Sequence, residues 1–234
     1  MAVSGALAWL KIQISQHRQY MEQAARQELK HRIVYGLIYA GAFLAVGALG
    51  GPLFWLALAV AFGLCGREMQ LVLAQKGWGL RLAALMILGL AFCALGFLRG
   101  YFGASVLIGF LLAVFTFDTL SLVFGRALGG IRLIPSISPN KTWSGFIAGM
   151  LALGLGGPWL MAGSDLGLRV WLALMCGLAF LAGDLLVSYL KRQANLKDTG
   201  RLIPGHGGLL DRMDSLLLAS PLYAVCLIGL GVVP

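Results

Sequence analysis

Long apolar runs alternate with short polar segments along this chain, and the runs predict its helices. Uncharged sequence extends from Ile33 to Gly66 and is interrupted in its middle by Gly50-Gly51-Pro52. Because one helix crosses a bilayer in about 20 residues, we interpret this stretch as two spans joined by a turn. The whole pattern predicts about seven spans, at residues 33–49, 52–66, 82–98, 102–124, 144–162, 169–190 and 215–232. The division of 82–124 into two spans depends on Arg99-Gly100 alone.

The composition agrees with a chain that is embedded in a lipid bilayer. Hydrophobic residues make up 59% of the sequence and charged residues only 12%, which is too few to cover a soluble core. In lipid, only helices and closed barrels satisfy every backbone polar group, and apolar runs without strand-like alternation argue against a barrel. We therefore predict an all-α fold, a polytopic transmembrane helical bundle.

Basic residues are concentrated on one predicted side of the bundle. The segments on that side are 1–32, 67–81, 125–143 and 191–214. The opposite side receives only Arg99 and Arg169. Cytoplasmic loops carry an excess of Lys and Arg, so we expect a cytoplasmic N-terminus and cytoplasmic polar loops in the cell inner (plasma) membrane.

The first 32 residues mix apolar and basic side chains without a run that could span a membrane. We predict that 1–32 forms a basic amphipathic segment at the membrane surface, with a partly disordered basic tail as the alternative. Residues 33–234 would then form the transmembrane domain. The formal charge of +9 is spread over short loops, which argues against nucleic acid and suits lipid headgroups or phosphate-bearing substrates.

The four cysteines all lie inside apolar runs and lack the spacing of metal ligands. They are Cys65, Cys93, Cys176 and Cys226. We predict that they are small buried hydrophobic residues.

Two carboxylates, Asp118 and Asp184, lie within apolar helices. Burying an ionised carboxylate in hydrocarbon is costly unless it pairs, binds a cation or reaches water. A salt bridge between helices is the structural alternative for both residues. Asp184, Ser188 and Lys191 are spaced i, i+4 and i+7, so they form one stripe at the end of a helix.

Further along, Asp211 and Asp214 are three residues apart and share a face at the start of the last helix. Together with Asp184 they could form an oxygen-ligand site for a hard cation such as Mg²⁺. Between these carboxylates, the glycine-rich stretch 205–208 would let backbone N–H groups approach a phosphate. Five cations surround the stretch: Lys191, Arg192, Lys197, Arg201 and Arg212. This composition is typical of phosphoryl or nucleotidyl transfer.

Two further elements could contribute to such a site. His206 could contact a phosphate or nucleotide, or only fix its loop; with no second His or Cys nearby, zinc is not indicated. In the loop 125–143, Ser138 and Lys141 precede a predicted helix, where Lys141 and free N–H groups could meet an anion. A solvated connecting loop is the alternative for 125–143.

Residues 188–215 resemble the signature of the phosphatidate cytidylyltransferases. The matching positions are Ser188, Lys191, Arg192, Lys197, Asp198, Gly200, Ile203, Pro204, His206, Gly207, Gly208, Asp211, Arg212 and Asp214. Upstream, SPNKTW at 138–143 is similar to a second element of the family, although Ser144 stands where the family has Glu. DTLSLVFGRALGG, which begins at Asp118, is similar to a third, although Ser121-Leu122 replace the usual Ala-Tyr. The N-terminal half matches only in hydropathy, with Glu68 as a weak point of reference.

The resemblance implies that CTP and phosphatidic acid give CDP-diacylglycerol and pyrophosphate, with Mg²⁺ as cofactor. It implies metal binding by Asp184, Asp211 and Asp214, with Lys191 and Lys197 also catalytic. The implied substrate-binding residues are Ser188, Arg192, Asp198, His206, Gly207, Gly208, Arg212, Ser138, Lys141 and Asp118. The reaction would take place in the transmembrane domain, with loops 125–143 and 191–214 forming the site.

Other functions remain open at the level of the sequence. A CTP-transferase or kinase that acts on another lipid phosphate or on a polyprenol would use the same charges. An ion-coupled transporter would instead use Asp118 and Asp184 along a pathway through the bundle. A homodimer is also open.

Overall fold

A computed structural model describes residues 13, 38, 40–162, 165–200, 202 and 207–232. The predicted amphipathic segment 1–32 lies outside these residues, except for Gln13. The chain divides into two units, Met1–Ala42 and Phe43–Pro234. The second unit contains the fold and site described below.

The described chain is almost entirely helical. Its helices are α1 (Ala40–Leu49), α2 (Gly51–Val72), α3 (Trp78–Phe97), α4 (Ala104–Leu128), α5 (Trp143–Leu160), α6 (Leu166–Gln193), α7 (Leu210–Met213) and α8 (Leu216–Gly229). Six stretches of the described chain are long and apolar enough to cross a membrane, with α7 and α8 counted together, and α1 is a shorter apolar helix. The prediction of an all-α multi-pass bundle is confirmed.

The break predicted at Gly50-Gly51-Pro52 is present. Gly50 and Gly51 have φ angles of 66° and 59°, a left-handed conformation that glycine adopts without strain. Pro52 then occupies the first turn of α2, where a missing N–H costs nothing. However, α2 continues to Val72, beyond the predicted end at Gly66. It can do so because the buried carboxylate of Glu68 finds hydrogen-bond donors in the bundle.

The uncertain stretch 82–124 contains two helices, as predicted. A π-helix at Leu98–Phe102 and Gly103, with a φ angle of 91°, join α3 to α4. Arg99 does not simply face solvent here: its Nε donates to the Gly47 carbonyl at 2.7 Å. This bond satisfies one of the free carbonyls in the last turn of α1.

Glycines let α4 and α5 pack closely in antiparallel order. A Cβ atom on Gly145, near the start of α5, would collide with the Ser121 carbonyl of α4. At the other end of the pair, a Cβ on Gly109 would collide with the Leu160 carbonyl. Small residues allow this approach in membrane bundles, where van der Waals contact drives helix association.

The next helix continues the antiparallel order. Gly157, near the end of α5, packs against Ala173, and Gly177 packs against Met150. The ends of α4 and α6 and the start of α5 therefore meet at one end of the bundle.

An aromatic cluster fills the centre of the bundle. Phe110 stacks on Tyr223 with ring centroids 5.0 Å apart, and Phe117 contacts Phe180 at 5.7 Å. The Tyr223 hydroxyl accepts a hydrogen bond from the Ala162 backbone N–H at 3.0 Å. The polar end of this buried side chain is therefore satisfied.

The prediction for the cysteines is wrong for one of the four. Cys65 and Cys176 are buried and Cys226 is partly buried, but Cys93 is exposed. Cys93 shares its exposed face of α3 with Met86 and Leu90. An apolar residue in lipid gains nothing from turning inward, so hydrophobicity does not indicate which way it points.

Loop 125–143 contains a structure that the helical prediction did not include. Strands β1 (Arg132–Ile134) and β2 (Ser138–Thr142) form an antiparallel hairpin in which Ile134 pairs with Ser138. At its end, Thr142 Oγ1 accepts from the Gly145 N–H at 3.2 Å and caps α5. Lys141 therefore lies in an ordered strand, one residue before the residue that caps α5.

Candidate functional site

Polar side chains gather at the end of the bundle where α2, α4 and α6 finish and α5 begins. Two ion pairs mark this end, one between Lys141 and Asp184 and one between Lys191 and Asp211. Both pairs join residues that the sequence predicted to lie in the site. One hydrogen bond joins the predicted site loops 125–143 and 191–214: Arg192 Nε donates to the Ile137 carbonyl at 3.2 Å.

Asp184 lies about two and a half turns before the end of α6 and has two partners. One carboxylate oxygen pairs with Lys141 Nζ, and the other accepts a hydrogen bond from Ser188 Oγ at 3.2 Å. Ser188 is one turn further along the same helix, as the i, i+4 spacing predicts. The cation comes from the hairpin, so Asp184 connects two parts of the chain.

Asp118 and Asp214 lie next to this pair. The Ser215 hydroxyl is 3.3 Å from Asp118 Oδ2, and the Ser215 N–H donates to Asp214 Oδ1 at 2.8 Å. Asp214 is only 9% exposed. Lys141 interacts electrostatically with Asp184, Asp118 and Asp214. We call Asp118, Asp184, Asp214 and Lys141 the carboxylate cluster.

The acidic groups of the carboxylate cluster outnumber its cation. Three carboxylates lie around one ammonium group. Burial lowers the pKa of Lys141, but the Asp184, Asp118 and Asp214 carboxylates together raise it by more, so that the net pKa lies above its ordinary value. Lys141 therefore stays protonated at neutral pH, and a further cation would favour the ionised form of the three carboxylates.

Asp211 has a separate set of partners. Its Oδ1 receives Lys191 Nζ at 2.6 Å, and its Oδ2 accepts the Thr199 and Gly208 N–H groups at 2.8 and 3.0 Å. The Thr199 hydroxyl also lies 3.0 Å from this Oδ2 atom. Asp211 thus fastens the segment before α7 to the end of α6.

Glu68, which served in the sequence only as a weak point of reference, contacts the site although no role there was predicted for it. Its Oε1 accepts the Leu209 N–H at 3.0 Å, and its Oε2 accepts the Leu210 N–H at 2.8 Å. The Thr199 hydroxyl is 3.1 Å from Oε2. One available signal was a carboxylate directly after a long apolar run, which is costly without a partner.

The glycines of this segment make room for these carboxylates. Gly207 has a φ angle of 80°, and a Cβ atom there would lie 2.6 Å from Asp211 Oδ2. A Cβ on Gly208 would collide with Glu68 Oε2 and with Thr199 Oγ1. The structure therefore uses Gly207 and Gly208 for close approach to carboxylates of the protein itself, whereas the sequence predicted close approach to a phosphate.

The other predicted site residues belong to the same segments as the carboxylate cluster and Asp211. Lys197, Asp198 and Arg212 are exposed and Ser138 is partly buried at the start of β2. Arg212 interacts electrostatically with Asp118. Arg192 is exposed but also donates to the Leu196 carbonyl. His206 and Arg201 lie outside the described residues, so the alternatives for His206 stay predictions.

The donor chemistry fits a hard divalent cation. All the acidic groups offer oxygen ligands, and the three carboxylates of the carboxylate cluster could neutralise the charge of Mg²⁺. Of the predicted metal ligands, Asp184 and Asp214 belong to this cluster, whereas Asp211 bonds to Lys191 and to its own loop. Among the described residues, no three or more acidic, His or Cys side chains are already arranged as a metal site.

Comparison with known proteins agrees with this site. The sequence pattern of the cytidylyltransferase family matches residues 74–229. A Brucella abortus protein named phosphatidate cytidylyltransferase is 41% identical over 172 residues, covering 70% of this chain and 63% of that protein. A Rickettsia bellii protein of the same name is 32% identical over 209 residues, covering 84% and 90%. A Staphylococcus haemolyticus protein, also of that name, is 36% identical over 166 residues, covering 67% and 64%.

The chain belongs to the cytidylyltransferase family, because the family pattern covers most of its described helices. It spans 63% of the length of the Brucella relative. The match includes the carboxylate cluster, the hairpin and Asp211. Glu68 lies outside the matched residues.

Proposed function

We propose that this protein transfers the cytidylyl group of CTP to phosphatidic acid, giving CDP-diacylglycerol and pyrophosphate. The observation that carries the proposal is the gathering of Asp118, Asp184 and Asp214 around Lys141 at one end of an apolar bundle. Family membership and the names of the relatives support the same reaction. The position beside the membrane would let a soluble nucleotide meet a lipid that stays in the bilayer.

In this reaction an oxygen of the lipid phosphate attacks the α-phosphorus of CTP. A new P–O bond forms, the bond to the β-phosphate oxygen breaks, and its electron pair leaves with pyrophosphate. The lipid phosphate is already an anion, so no strong base is required. The protein contributes positioning and charge neutralisation.

The cations of the site are suited to bind phosphates. Lys141 and Lys191 are held beside carboxylates, so their ammonium groups are fixed in position before a substrate arrives. Lys197 and Arg212 are exposed on the same segment and could contact the outer phosphates of CTP. Ser188 orients Asp184 through its hydrogen bond.

Asp184, Asp211 and Asp214 would hold Mg²⁺. When bound, Mg²⁺ would neutralise charge on the phosphate oxygens and make pyrophosphate a better leaving group. Asp211 would have to share its Oδ1 between Lys191 and the metal. We further propose that the protein lies in the inner membrane and that its site is on the cytoplasmic side, as the distribution of basic loops predicts.

Purified protein in detergent should convert CTP labelled at its α-phosphate into a lipid-soluble product when phosphatidic acid and Mg²⁺ are present. Pyrophosphate should appear in equal amount, and EDTA should stop the reaction. No product with phosphatidic acid at any metal concentration would overturn the proposal. A panel that adds an isoprenoid phosphate and a polyprenol would then identify a different acceptor.

A matched pair of variants connects the reaction to the site. Asp184→Asn should lower kcat by at least about a hundredfold, because it removes a charge that the site uses directly. Asp165→Asn changes the same residue type at the other end of α6, where Asp165 caps the helix by accepting the Leu168 N–H at 2.9 Å. Asn caps a helix about as well as Asp, so this control should keep full activity.

A further inference from the structure

We propose that Glu68 is a positioning residue of this site and that it acts through Thr199 and the Gly208–Leu210 backbone on Asp211. The inference rests on the proposed function for its kinetic part. Its structural part, that one carboxylate on α2 fixes Thr199 and the Gly208–Leu210 backbone, can be measured without any reaction.

Both oxygens of Glu68 are used by the protein. The side chain is 7% exposed, and it accepts the Leu209 and Leu210 N–H groups at 3.0 and 2.8 Å. Since a buried carboxylate without donors would be very unfavourable, these bonds are the reason that α2 can bring the charge inside. With both oxygens bonded to backbone N–H groups, Glu68 has no direct role in binding a substrate phosphate.

Thr199 connects Glu68 with Asp211. Its hydroxyl is 3.1 Å from Glu68 Oε2 and 3.0 Å from Asp211 Oδ2, and the residue is 4% exposed. The hydroxyl has a single proton, so the two carboxylates share one donor. Asp211 is held further by the N–H groups of Thr199 and Gly208. The two carboxylates thus form hydrogen bonds with the same two stretches, Thr199 and Gly208–Leu210.

The close packing around Glu68 leaves it little freedom. A Cβ atom on Gly200 would lie 2.7 Å from Glu68 Oε1, and one on Gly208 would collide with Oε2. Because glycine has no side chain, the backbone at both positions can pack directly against the carboxylate. A movement of Glu68 would be passed to the segment, and through it to Asp211 and its ion pair with Lys191.

Glu68 also lies outside the region that the family pattern matches, residues 74–229. The residues that it holds, Thr199 and Gly208–Leu210, lie within that region. The second helix of this chain therefore contributes to the geometry of the site, although its sequence carries no recognisable part of the signature.

The first measurement is hydrogen–deuterium exchange of the detergent-solubilised full chain, without metal or substrate. Glu68→Gln replaces one acceptor oxygen with an NH₂ group that faces backbone N–H donors, so at least one hydrogen bond is lost. Peptides that contain 207–213 should then exchange about tenfold faster, whereas the other helices keep their protection. Gln70→Ala, on the exposed side of α2, is the matched control and should leave the exchange unchanged.

The second measurement is the kinetic effect of the same variants. Partners that orient a metal ligand typically contribute 10–100-fold, so Glu68→Gln should lower kcat by at least about tenfold while KM for phosphatidic acid stays the same. Thr199→Val should reproduce both the exchange and the kcat effects, and Thr199→Ser should restore most of each, because it keeps the hydroxyl. These variants test the connection even if Glu68→Gln fails to fold.

Unchanged exchange at 207–213 in Glu68→Gln or Thr199→Val would overturn the inference, whatever happens to activity. Faster exchange over the whole bundle would also overturn it, because the role would then be general stability. If the wild-type protein does not transfer cytidylyl groups but the local exchange effect is present, the proposed function fails and the positioning of the segment stands. Wild-type activity with an unchanged kcat in Glu68→Gln would reject the positioning role alone.

Discussion

Lys191 Nζ lies 2.6 Å from Asp211 Oδ1, and the two side chains are only 11% and 8% exposed. The lysine is in the last turn of α6 and the carboxylate is at the start of the final span. Each charge therefore depends on the other to remain buried. The pair fixes the end of one helix to the beginning of another at the site.

Removing one partner of this pair should destabilise the protein strongly. Lys191→Met leaves the Asp211 carboxylate without its cation, and broken buried pairs cost about 3–5 kcal/mol. The double variant Lys191→Met/Asp211→Asn should recover part of that loss, because it also removes the unpaired charge. Thermal unfolding in one detergent would measure both.

The control for this pair is Lys197→Met, a change at an exposed lysine, which should alter the free energy of unfolding by less than about 0.5 kcal/mol. If Lys191→Met and Lys197→Met are equally stable, the ion pair does not contribute to the fold.

Lys141 and a divalent cation should compete for the charge of Asp118, Asp184 and Asp214. Lys141→Met removes the ammonium group, so Mn²⁺ should bind the protein without nucleotide about tenfold more tightly, equal to ~1.4 kcal/mol. The same variant should lose transferase activity, because a phosphate ligand is gone. Electron paramagnetic resonance of free Mn²⁺ would give the affinity.

Lys141→Arg keeps the positive charge and should leave Mn²⁺ affinity close to that of the wild type. Weaker Mn²⁺ binding in Lys141→Met would show that the metal does not use these carboxylates. The two effects of Lys141→Met have opposite signs, so a general loss of folding cannot produce both.

The sequence was sufficient to predict the helices and much of the site. Apolar runs predicted the six described spans and the break at Gly50-Gly51, because a helix that crosses a bilayer must be long and predominantly apolar. Helical spacing correctly placed Ser188 beside Asp184. The signature also collected residues that the structure joins, including Lys191 and Asp211.

Contacts between distant segments could not be predicted in this way. Glu68 and Leu210 are 142 positions apart and belong to different helices, so no local pattern relates them. The hairpin was missed because short strands in a glycine- and proline-rich loop have no long alternation. For Cys93, an apolar helix in lipid gives little information about which face is buried.

Close packing of α4 and α5 should depend on Gly145. A Cβ atom there would collide with the Ser121 carbonyl and lie 3.1 Å from Gly125 Cα. Gly145→Ala should therefore destabilise the bundle by about 1–3 kcal/mol, as overpacking of a fixed backbone does. Gly156→Ala is the matched control in the same helix, since none of the described residues outside its own stretch of helix places an atom within 4 Å of its Cβ position.

Gly156→Ala should be neutral or stabilise the helix by up to about 1 kcal/mol, because alanine has the higher helix propensity. Thermal unfolding of both variants in the same detergent would measure the difference. Equal unfolding temperatures would mean that α4 and α5 do not pack through Gly145.

Tyr223 should stabilise the bundle without affecting the site. Its hydroxyl accepts the Ala162 N–H at 3.0 Å, at the end of α5 opposite Lys141. Tyr223→Phe keeps the ring stacked on Phe110 but leaves that N–H without its acceptor, which should cost about 1–2 kcal/mol of unfolding free energy. Because no contact of Tyr223 reaches the carboxylate cluster, kcat should stay at the wild-type value below the unfolding temperature. A fall in kcat without a fall in stability would mean that the two ends of the bundle are coupled.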